Sequence, residues 1–159
     1  GAQTPMLAAG RHTVEIVAFD AWGYDWYASS SILDTYVGMP VAAEYQLQWS
    51  VGGTAVSWSL TDGTWAESCY EAGVDLVSVN FQDLQGNVLF SGAGWEFGCE
   101  EATGYFTLPP GTYRIFVEAT GPWGELYRSN QASPPTVTVT AGYFPESWQA
   151  PTVTLYRVF

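Results

Sequence analysis

Short runs of alternating apolar and polar residues constrain the fold of this 159-residue chain more than any other feature. In residues 111–119, GTYRIFVEA, an extended backbone places Tyr113, Ile115 and Val117 on one face and Arg114 on the other. The same alternation occurs in residues 44–50, 53–60, 74–83, 136–140 and 152–159. Between the runs stand segments such as VGGT, TDGT, QGN and PPG, whose residues favour chain reversal. These patterns predict an all-β, antiparallel, immunoglobulin-like β-sandwich.

A faint internal repeat predicts the domain organisation. Residues 7–26 resemble residues 108–127 at a constant offset of 101 positions, including a Trp-Gly pair in both copies. This offset is about the length of one immunoglobulin-like sandwich. The repeat therefore predicts a complete β-sandwich over residues 51–159, preceded in residues 1–50 by the closing strands of a partial unit.

A partial sandwich exposes sheet edges and needs a cover. It could pack onto residues 51–159 of its own chain, belong to a longer tandem array, or accept a strand from a neighbouring molecule. We favour the third arrangement, because strand addition satisfies an open edge and propagates head to tail. The final segment, 151-PTVTLYRVF-159, has the alternation expected of a donor strand.

The charge excludes several classes of partner. The chain has no Lys, and four Arg face sixteen acidic residues, which gives a formal net charge of -12. Such a chain repels phosphate backbones and anionic lipid surfaces, so we expect no nucleic-acid binding. No apolar run approaches the roughly 18 residues of a membrane span, so we expect no membrane insertion.

Two cysteines lie in similar settings, Cys69 in SCYEAG and Cys99 in GCEEATG. A lone pair flanking a hairpin in a Trp-rich β domain predicts a disulfide, with two buried free thiols as the alternative. Two Cys and the single His are too few for a customary zinc site. A disulfide indicates an oxidising, extracytoplasmic compartment.

The segments GNVLFSGAGW and TGYFTLPPGTYRIFVEATG resemble the carboxypeptidase-regulatory-like or transthyretin-like (prealbumin-like) β-sandwich modules of bacterial surface proteins. The matching positions are Gly104, Phe106, Leu108, Pro109, Pro110, Gly111 and Tyr113. The likeness covers residues 74–121 and implies a β-sandwich with a stalk, spacer or binding role, generally without catalysis. Related pilin modules often carry Lys-Asn isopeptide bonds, which a chain without Lys cannot form. The cysteine bridge would be the staple instead.

Aromatic residues in the repeated loops are candidate ligand contacts. Trp22, Trp26, Trp123 and Tyr127 could offer flat rings for stacking on a glycan. Alternatively, the equivalent Trp22 and Trp123 fold back as lids over the end of a sandwich core, which suits their repeated placement.

Other candidate sites are weak. Asp20 with Asp25, and Glu100 with Glu101, could give oxygens to calcium. They lack the ordered spacing of a calcium loop, and a solvated acidic surface is the commoner explanation. His12 falls on the apolar face of its strand and is expected to pack there with a hydrogen-bonded ring. We predict no cofactor, no metal and no enzymatic activity.

The sequence therefore predicts a non-enzymatic structural module, extracellular or on the cell surface. Its expected partners are further copies in a homo-oligomer or pilus-like filament, or neighbouring domains of an array. The alternatives are a carbohydrate-binding module that uses the loop aromatics, and a secreted adhesin domain.

Overall fold

A computed structural model describes residues 7–19, 25–41, 43–146 and 149–158. It confirms the all-β fold class, because strands account for most of the regular structure and the chain forms a β-sandwich. The chain divides into two compact units, Gly1–Val51 and Gly52–Phe159, which are called here the N-terminal and C-terminal units.

The N-terminal unit contains a three-stranded sheet in the order β1-β2-β3. Its strands are β1 (Gly10–Phe19), β2 (Asp25–Thr35) and β3 (Gln48–Trp49). β1 and β2 form a long antiparallel hairpin with a bulge at Ala18 and Phe19, near the loop. Among the described residues of this unit, none is fully buried.

The strand predicted over residues 44–50 is mostly absent. Only Gln48 and Trp49 pair with a neighbour, opposite Ala28 and Tyr27 of β2. The predicted alternation of Tyr45 with later residues gives the segment an apolar face, but that pattern does not by itself form backbone pairs. β2 continues to Thr35 beyond its two pairs with β3, and residues 43–47 do not pair with it. Residues 43–47 lie outside any strand.

The described residues of the C-terminal unit include nine strands, one short α-helix and a 3-10 turn. They are β4 (Gly52–Thr61), β5 (Ala66–Glu67), α1 (Cys69–Ala72), β6 (Leu76–Asp83), β7 (Trp95–Gly98), a 3-10 turn (Cys99–Glu101), β8 (Thr103–Leu108), β9 (Gly111–Thr120), β10 (Leu126–Arg128), β11 (Thr136–Val139) and β12 (Thr152–Arg157).

One hydrogen-bonded path, β5-β4-β12-β10-β9-β6-β7, folds over to make both layers of the C-terminal unit. β8 extends the layer that contains β4 and β12, and β11 extends the layer that contains β9 and β6. Phe81 of β6 meets Phe106 of β8 across the interior, with ring centroids 4.8 Å apart. The two layers therefore pack face to face, as in a sandwich.

The core is built from alternate residues, as the sequence predicts. The fully buried side chains from β4, β6, β9 and β12 include Val56, Val77, Val79, Phe81, Ile115, Val117 and Leu155. Tyr113 enters the core at the start of β9, where its hydroxyl donates to the carbonyl oxygen of Pro109 at 2.8 Å. This hydrogen bond anchors the Pro-Pro-Gly turn between β8 and β9.

β12 closes the C-terminal unit by pairing with strands of the same unit. Thr152 to Tyr156 run parallel to Ser57 to Thr61 of β4, and β12 also pairs antiparallel with β10. The segment predicted as a donor to a neighbouring chain is therefore engaged on both edges in its own unit. The sequence pattern was right about the strand and wrong about its partner, because alternation does not encode which edge a strand joins.

Candidate functional site

The internal repeat corresponds to two hairpins of the structure. β1 and β9 begin and end 101 residues apart, and β2 and β10 also begin 101 residues apart. The pair next to the loop has the same register in both hairpins, Phe19 opposite Asp25 and Thr120 opposite Leu126. The hairpins diverge after this pair, where β1 and β2 contain the bulge.

The two hairpins differ at the far edge of their first strand. In the C-terminal unit, β6 pairs with β9 from Tyr113 to Thr120. The equivalent edge of β1, from His12 to Phe19, has no strand partner among the residues that the structure describes. This stretch is called here the open edge.

The side chains beside the open edge repeat the same contrast. Val14 and Ile16 of β1 are half-buried, whereas their counterparts Ile115 and Val117 in β9 are 0% and 1% exposed. Among the other apolar residues of the hairpin, Ile32 of β2 is 65% exposed. The N-terminal hairpin thus has the residues of a core strand without the burial of one.

His12 has a structural environment. Its ring Nε2 donates to the carbonyl oxygen of Ala8 at 2.7 Å, and the side chain is half-buried on the same face as Val14. A hydrogen-bonded His at a strand start matches the packed role that the sequence predicts for this residue.

The structure describes three of the four predicted platform residues, Trp26, Trp123 and Tyr127. Trp22 lies outside the described residues. Trp26 is half-buried, with its ring centroid 6.0 Å from that of Trp49 and the planes tilted by 60°. Tyr127 is fully buried, so it offers no ring face to a ligand.

Tyr127 instead joins charged side chains at the edge of the core. Its hydroxyl donates to Glu67 Oε2 at 2.7 Å and accepts from Arg157 Nε at 2.9 Å. Burial, followed by the hydrogen bond to Glu67, raises the pKa of the Tyr127 phenol. Tyr127 therefore stays protonated as a structural donor.

Trp123 is not the lid that its repeated placement predicts, because its side chain is 88% exposed. The loop between β9 and β10 turns it outward, and Glu125 Oε2 accepts a hydrogen bond from the backbone N–H of Trp123 at 3.0 Å. Ala72 of α1 and Val74 beyond it are buried in the core cluster at this end of the unit. The core therefore gains its cover from α1, and Trp123 is left in solvent.

The predicted disulfide between Cys69 and Cys99 is confirmed. It ties the first residue of α1 to the 3-10 turn, with the two Cα atoms 5.9 Å apart. Trp58 Nε1 donates to the carbonyl oxygen of Cys99 at 2.9 Å, which connects the bridge to the core.

The comparisons with known proteins and a search for metal-binding groups identify no functional site among the described residues. Comparisons with family models, curated proteins and solved structures find no match. Across the described parts of the chain, no group of three or more His, Cys, Asp and Glu side chains is placed to hold a metal ion, and no helix is long and apolar enough to cross a membrane. Of the calcium candidates, Asp20 and the side chain of Asp25 lie outside what the structure describes.

A groove of about 420 Å³ lies on the outer face of β6, β9 and β10. Its polar lining includes Asn80, Gln82 and the ion pair of Arg128 Nε with Glu118 Oε2 at 2.7 Å. The charges of Glu118 and Arg128 are therefore paired with each other in the groove.

Sequence reasoning missed two exposed aromatic residues. Trp65 is 74% exposed in the turn between β4 and β5, and Tyr70 is 91% exposed on α1. Each directly follows a signal that was present in the sequence, the turn motif TDGT and the disulfide residue Cys69. Nothing in the period-two pattern could indicate their exposure, because neither lies on a strand.

Proposed function

We propose that this chain is a non-enzymatic structural module of an extracellular or cell-surface filament or array, in which a strand from a neighbouring copy adds to the open edge of β1. One observation carries the proposal. The equivalent edge of β9 is covered by eight residues of β6, from Leu76 to Asp83, whereas the open edge has no strand among the described residues.

Strand addition would satisfy both requirements of the open edge. The N–H and C=O groups on the side of β1 away from β2, which pair with no described strand, would gain hydrogen-bond partners. The half-buried faces of Val14 and Ile16 would gain apolar neighbours. An added strand would thus do for the N-terminal hairpin what β6 does for its counterpart.

The donor segment in this proposal is residues 43–47. They continue the alternation that includes Tyr45 and Leu47, yet they belong to no strand. They lead into β3, which lies beyond β2, so about two strand spacings, or ~10 Å, separate β3 from the open edge of the same chain. A second copy offers this segment without crossing β2, and repetition of that contact extends head to tail.

Two further features support an extracellular assembly. The disulfide Cys69–Cys99 suits an oxidising compartment. The likeness to surface β-sandwich modules, carried by the turn at Pro109, Pro110 and Gly111, suits a structural role.

The proposal is tested by placing one charge on each face of β1. Ile16→Lys puts a cation on the half-buried face beside the open edge, and Thr13→Lys puts the same charge on the exposed face. We expect the parent chain and Thr13→Lys to form oligomers or filaments that grow with concentration, and Ile16→Lys to remain monomeric. Sedimentation velocity and electron microscopy measure the outcome.

A third variant tests the donor. Tyr45→Lys disrupts the alternation of residues 43–47 and should weaken assembly, while the β1 hairpin stays intact by circular dichroism. Compact monomers of the parent chain at high concentration would refute assembly itself. Assembly that survives Tyr45→Lys but not Ile16→Lys would retain the edge and reject this donor.

The exposure of Trp123 is the one observation among the described platform residues that favours a carbohydrate-binding module. A ring that is 88% exposed can stack on a sugar, but the burial of Tyr127 removes its predicted neighbour from such a platform. Binding on a glycan array that is lost in Trp123→Ala, without any assembly, would support this alternative over the filament.

A further inference from the structure

Several connections of the C-terminal unit meet at one end of the sandwich. Thr61, the last residue of β4, is level with Tyr156 near the end of β12. Thr120, the last residue of β9, is opposite Leu76 of β6 and Leu126 of β10. The turn at residues 62–65, α1, the 3-10 turn and the loop at residues 121–125 therefore share this end, which is called here the aromatic end.

Three aromatic side chains of the aromatic end stand in solvent. Trp65, Tyr70 and Trp123 are 74%, 91% and 88% exposed. They lie on neighbouring segments, because α1 contacts β4 and β5 on one side. On its other side, a Cβ atom placed on Gly73 would lie 3.2 Å from Glu125 Cγ in the loop that carries Trp123.

Carboxylates fix the backbone of each exposed ring. Asp62 Oδ1 accepts from the backbone N–H of Trp65 at 2.8 Å, and Glu125 Oε2 accepts from the backbone N–H of Trp123 at 3.0 Å. Glu71 Oε2 accepts at 2.9 Å from the backbone N–H of the N-cap residue of α1, the helix that carries Tyr70. The rings are therefore displayed from ordered backbone, which lowers the entropy that binding would cost.

The aromatic end is also strongly acidic. Two of its carboxylates, Glu67 and Glu125, are half-buried. The others are exposed: Asp62, Glu71, Asp75, Glu100 and Glu101. Of the described cations near this end, Arg157 bonds to Tyr127 and lies 3.9 Å from Glu67. Arg128, the register partner of Tyr156, forms an ion pair with Glu118 at 2.7 Å. The negative charge thus remains largely uncompensated.

We infer that the aromatic end binds a cationic polypeptide segment, rich in Arg or Lys, which places its charged heads over the exposed rings and against the surrounding carboxylates. Cations are attracted to the faces of Trp and Tyr, and Arg also stacks on them. The acidic surroundings add long-range attraction for the same ligand class.

The charge distinguishes this ligand from a neutral glycan. Exposed rings alone would suit either partner, since sugars and guanidinium groups both stack on aromatic faces. A neutral sugar gains nothing from the concentration of unpaired negative charge, whereas a basic segment does. The rings and the carboxylates therefore point to one occupant together.

The test uses the full chain and a fluorescein-labelled oligoarginine peptide, with binding followed by fluorescence anisotropy at several salt concentrations. Single substitutions Trp65→Ala, Tyr70→Ala and Trp123→Ala should each weaken binding by about two- to five-fold, the value of an exposed cation–π contact. The triple variant should lose roughly ten- to a hundredfold if the three contacts are independent.

Tyr105→Ala is the matched control, because it removes a ring that is 59% exposed on β8 and leaves the charge unchanged. It should bind like the parent chain. Asp75→Asn with Glu100→Gln should reduce both the affinity and its salt dependence, with every ring retained.

Two results would overturn the inference. Equal peptide affinity in the parent chain and the triple variant would mean that the peptide binds only by non-specific attraction to an acidic protein. Binding to a neutral oligosaccharide that depends on the same three rings, without ring-dependent peptide binding, would identify a glycan site. Each variant's circular dichroism spectrum and intact disulfide establish that the fold is retained, and the assembly state of the chain does not enter the comparison.

Discussion

Tyr127 shows how one buried hydroxyl organises charges from different strands. It comes from β10, its acceptor Glu67 from β5 and its donor Arg157 from β12. The guanidinium carbon of Arg157 also lies 5.4 Å from the centre of the Tyr127 ring. The side chain that the sequence suggests for ligand binding thus connects three strands of the sandwich.

Tyr127→Phe should lower the free energy of unfolding by about 1–3 kcal/mol, because Glu67 and Arg157 lose a partner in a partly dehydrated position. Urea denaturation followed by fluorescence measures the change. Tyr105→Phe removes a hydroxyl from a side chain that is 59% exposed, and should change the stability by less than about 0.5 kcal/mol. Equal effects of the two substitutions would contradict the role given to the Tyr127 hydroxyl.

The turn between β4 and β5 depends on the charge of one carboxylate. Backbone N–H groups of Trp65 and Thr64 donate to Asp62 Oδ1 and lower the pKa of that carboxyl below its usual 3.8. A lowered pKa in the folded state means that the charged form stabilises the turn at pH values above the usual pKa. This contribution is lost as the pH falls through the lowered value.

Nuclear magnetic resonance should therefore show Asp62 titrating below pH 3.8, with the Trp65 amide losing its protection from exchange over the same range. Asp62→Asn should remove that acid transition while the β4 and β12 amides remain protected. Titration of Asp62 at or above its usual value would contradict the hydrogen bonding described for this turn.

Alternation predicted the strands of the C-terminal unit well, since the large apolar side chains of the core occupy alternate positions in both layers. Val56, Val79 and Ile115 are each 0% exposed, as their patterns indicate. The same reasoning failed for residues 44–50, because alternation indicates an apolar face and does not specify whether the backbone pairs with a neighbouring edge. The internal repeat failed for Trp123, because equal placement in two loops does not specify which way a side chain points.

The candidate sites were less predictable than the strands. The sequence around the two cysteines predicted the disulfide correctly, since α1 and the 3-10 turn lie on either side of the β6–β7 hairpin. The open edge was expected only as an incomplete repeat, and its extent from His12 to Phe19 became visible through the matching boundaries of β1 and β9. Gathering of Trp65, Tyr70 and Trp123 at one end depends on long-range pairing, which a single sequence does not contain.

Burial is divided unevenly over the whole molecule. Every residue of the buried core cluster belongs to the C-terminal unit, from Val56 to Leu155. The described residues of the N-terminal unit contribute none. Since apolar burial is the main favourable term in folding, the stability of the isolated chain resides in Gly52–Phe159.

A fragment comprising residues 52–159 should therefore fold alone, with one cooperative denaturant transition and the Cys69–Cys99 bridge formed. A fragment of residues 1–51 should give no cooperative transition as a monomer. Circular dichroism during urea titration tests both. A non-cooperative transition for residues 52–159 would show that its core needs the N-terminal unit.

The parallel pairing of β4 and β12 determines how the C-terminal unit carries a mechanical load. These are its first and last strands, so tension applied through Gly52 and Arg157 pulls them in opposite directions along their common axis. Their five register pairs, from Ser57 with Thr152 to Thr61 with Tyr156, are then loaded in shear and share the force, instead of opening one after another as in a zipper. The topology therefore gives this unit a mechanical clamp between its entry and exit strands.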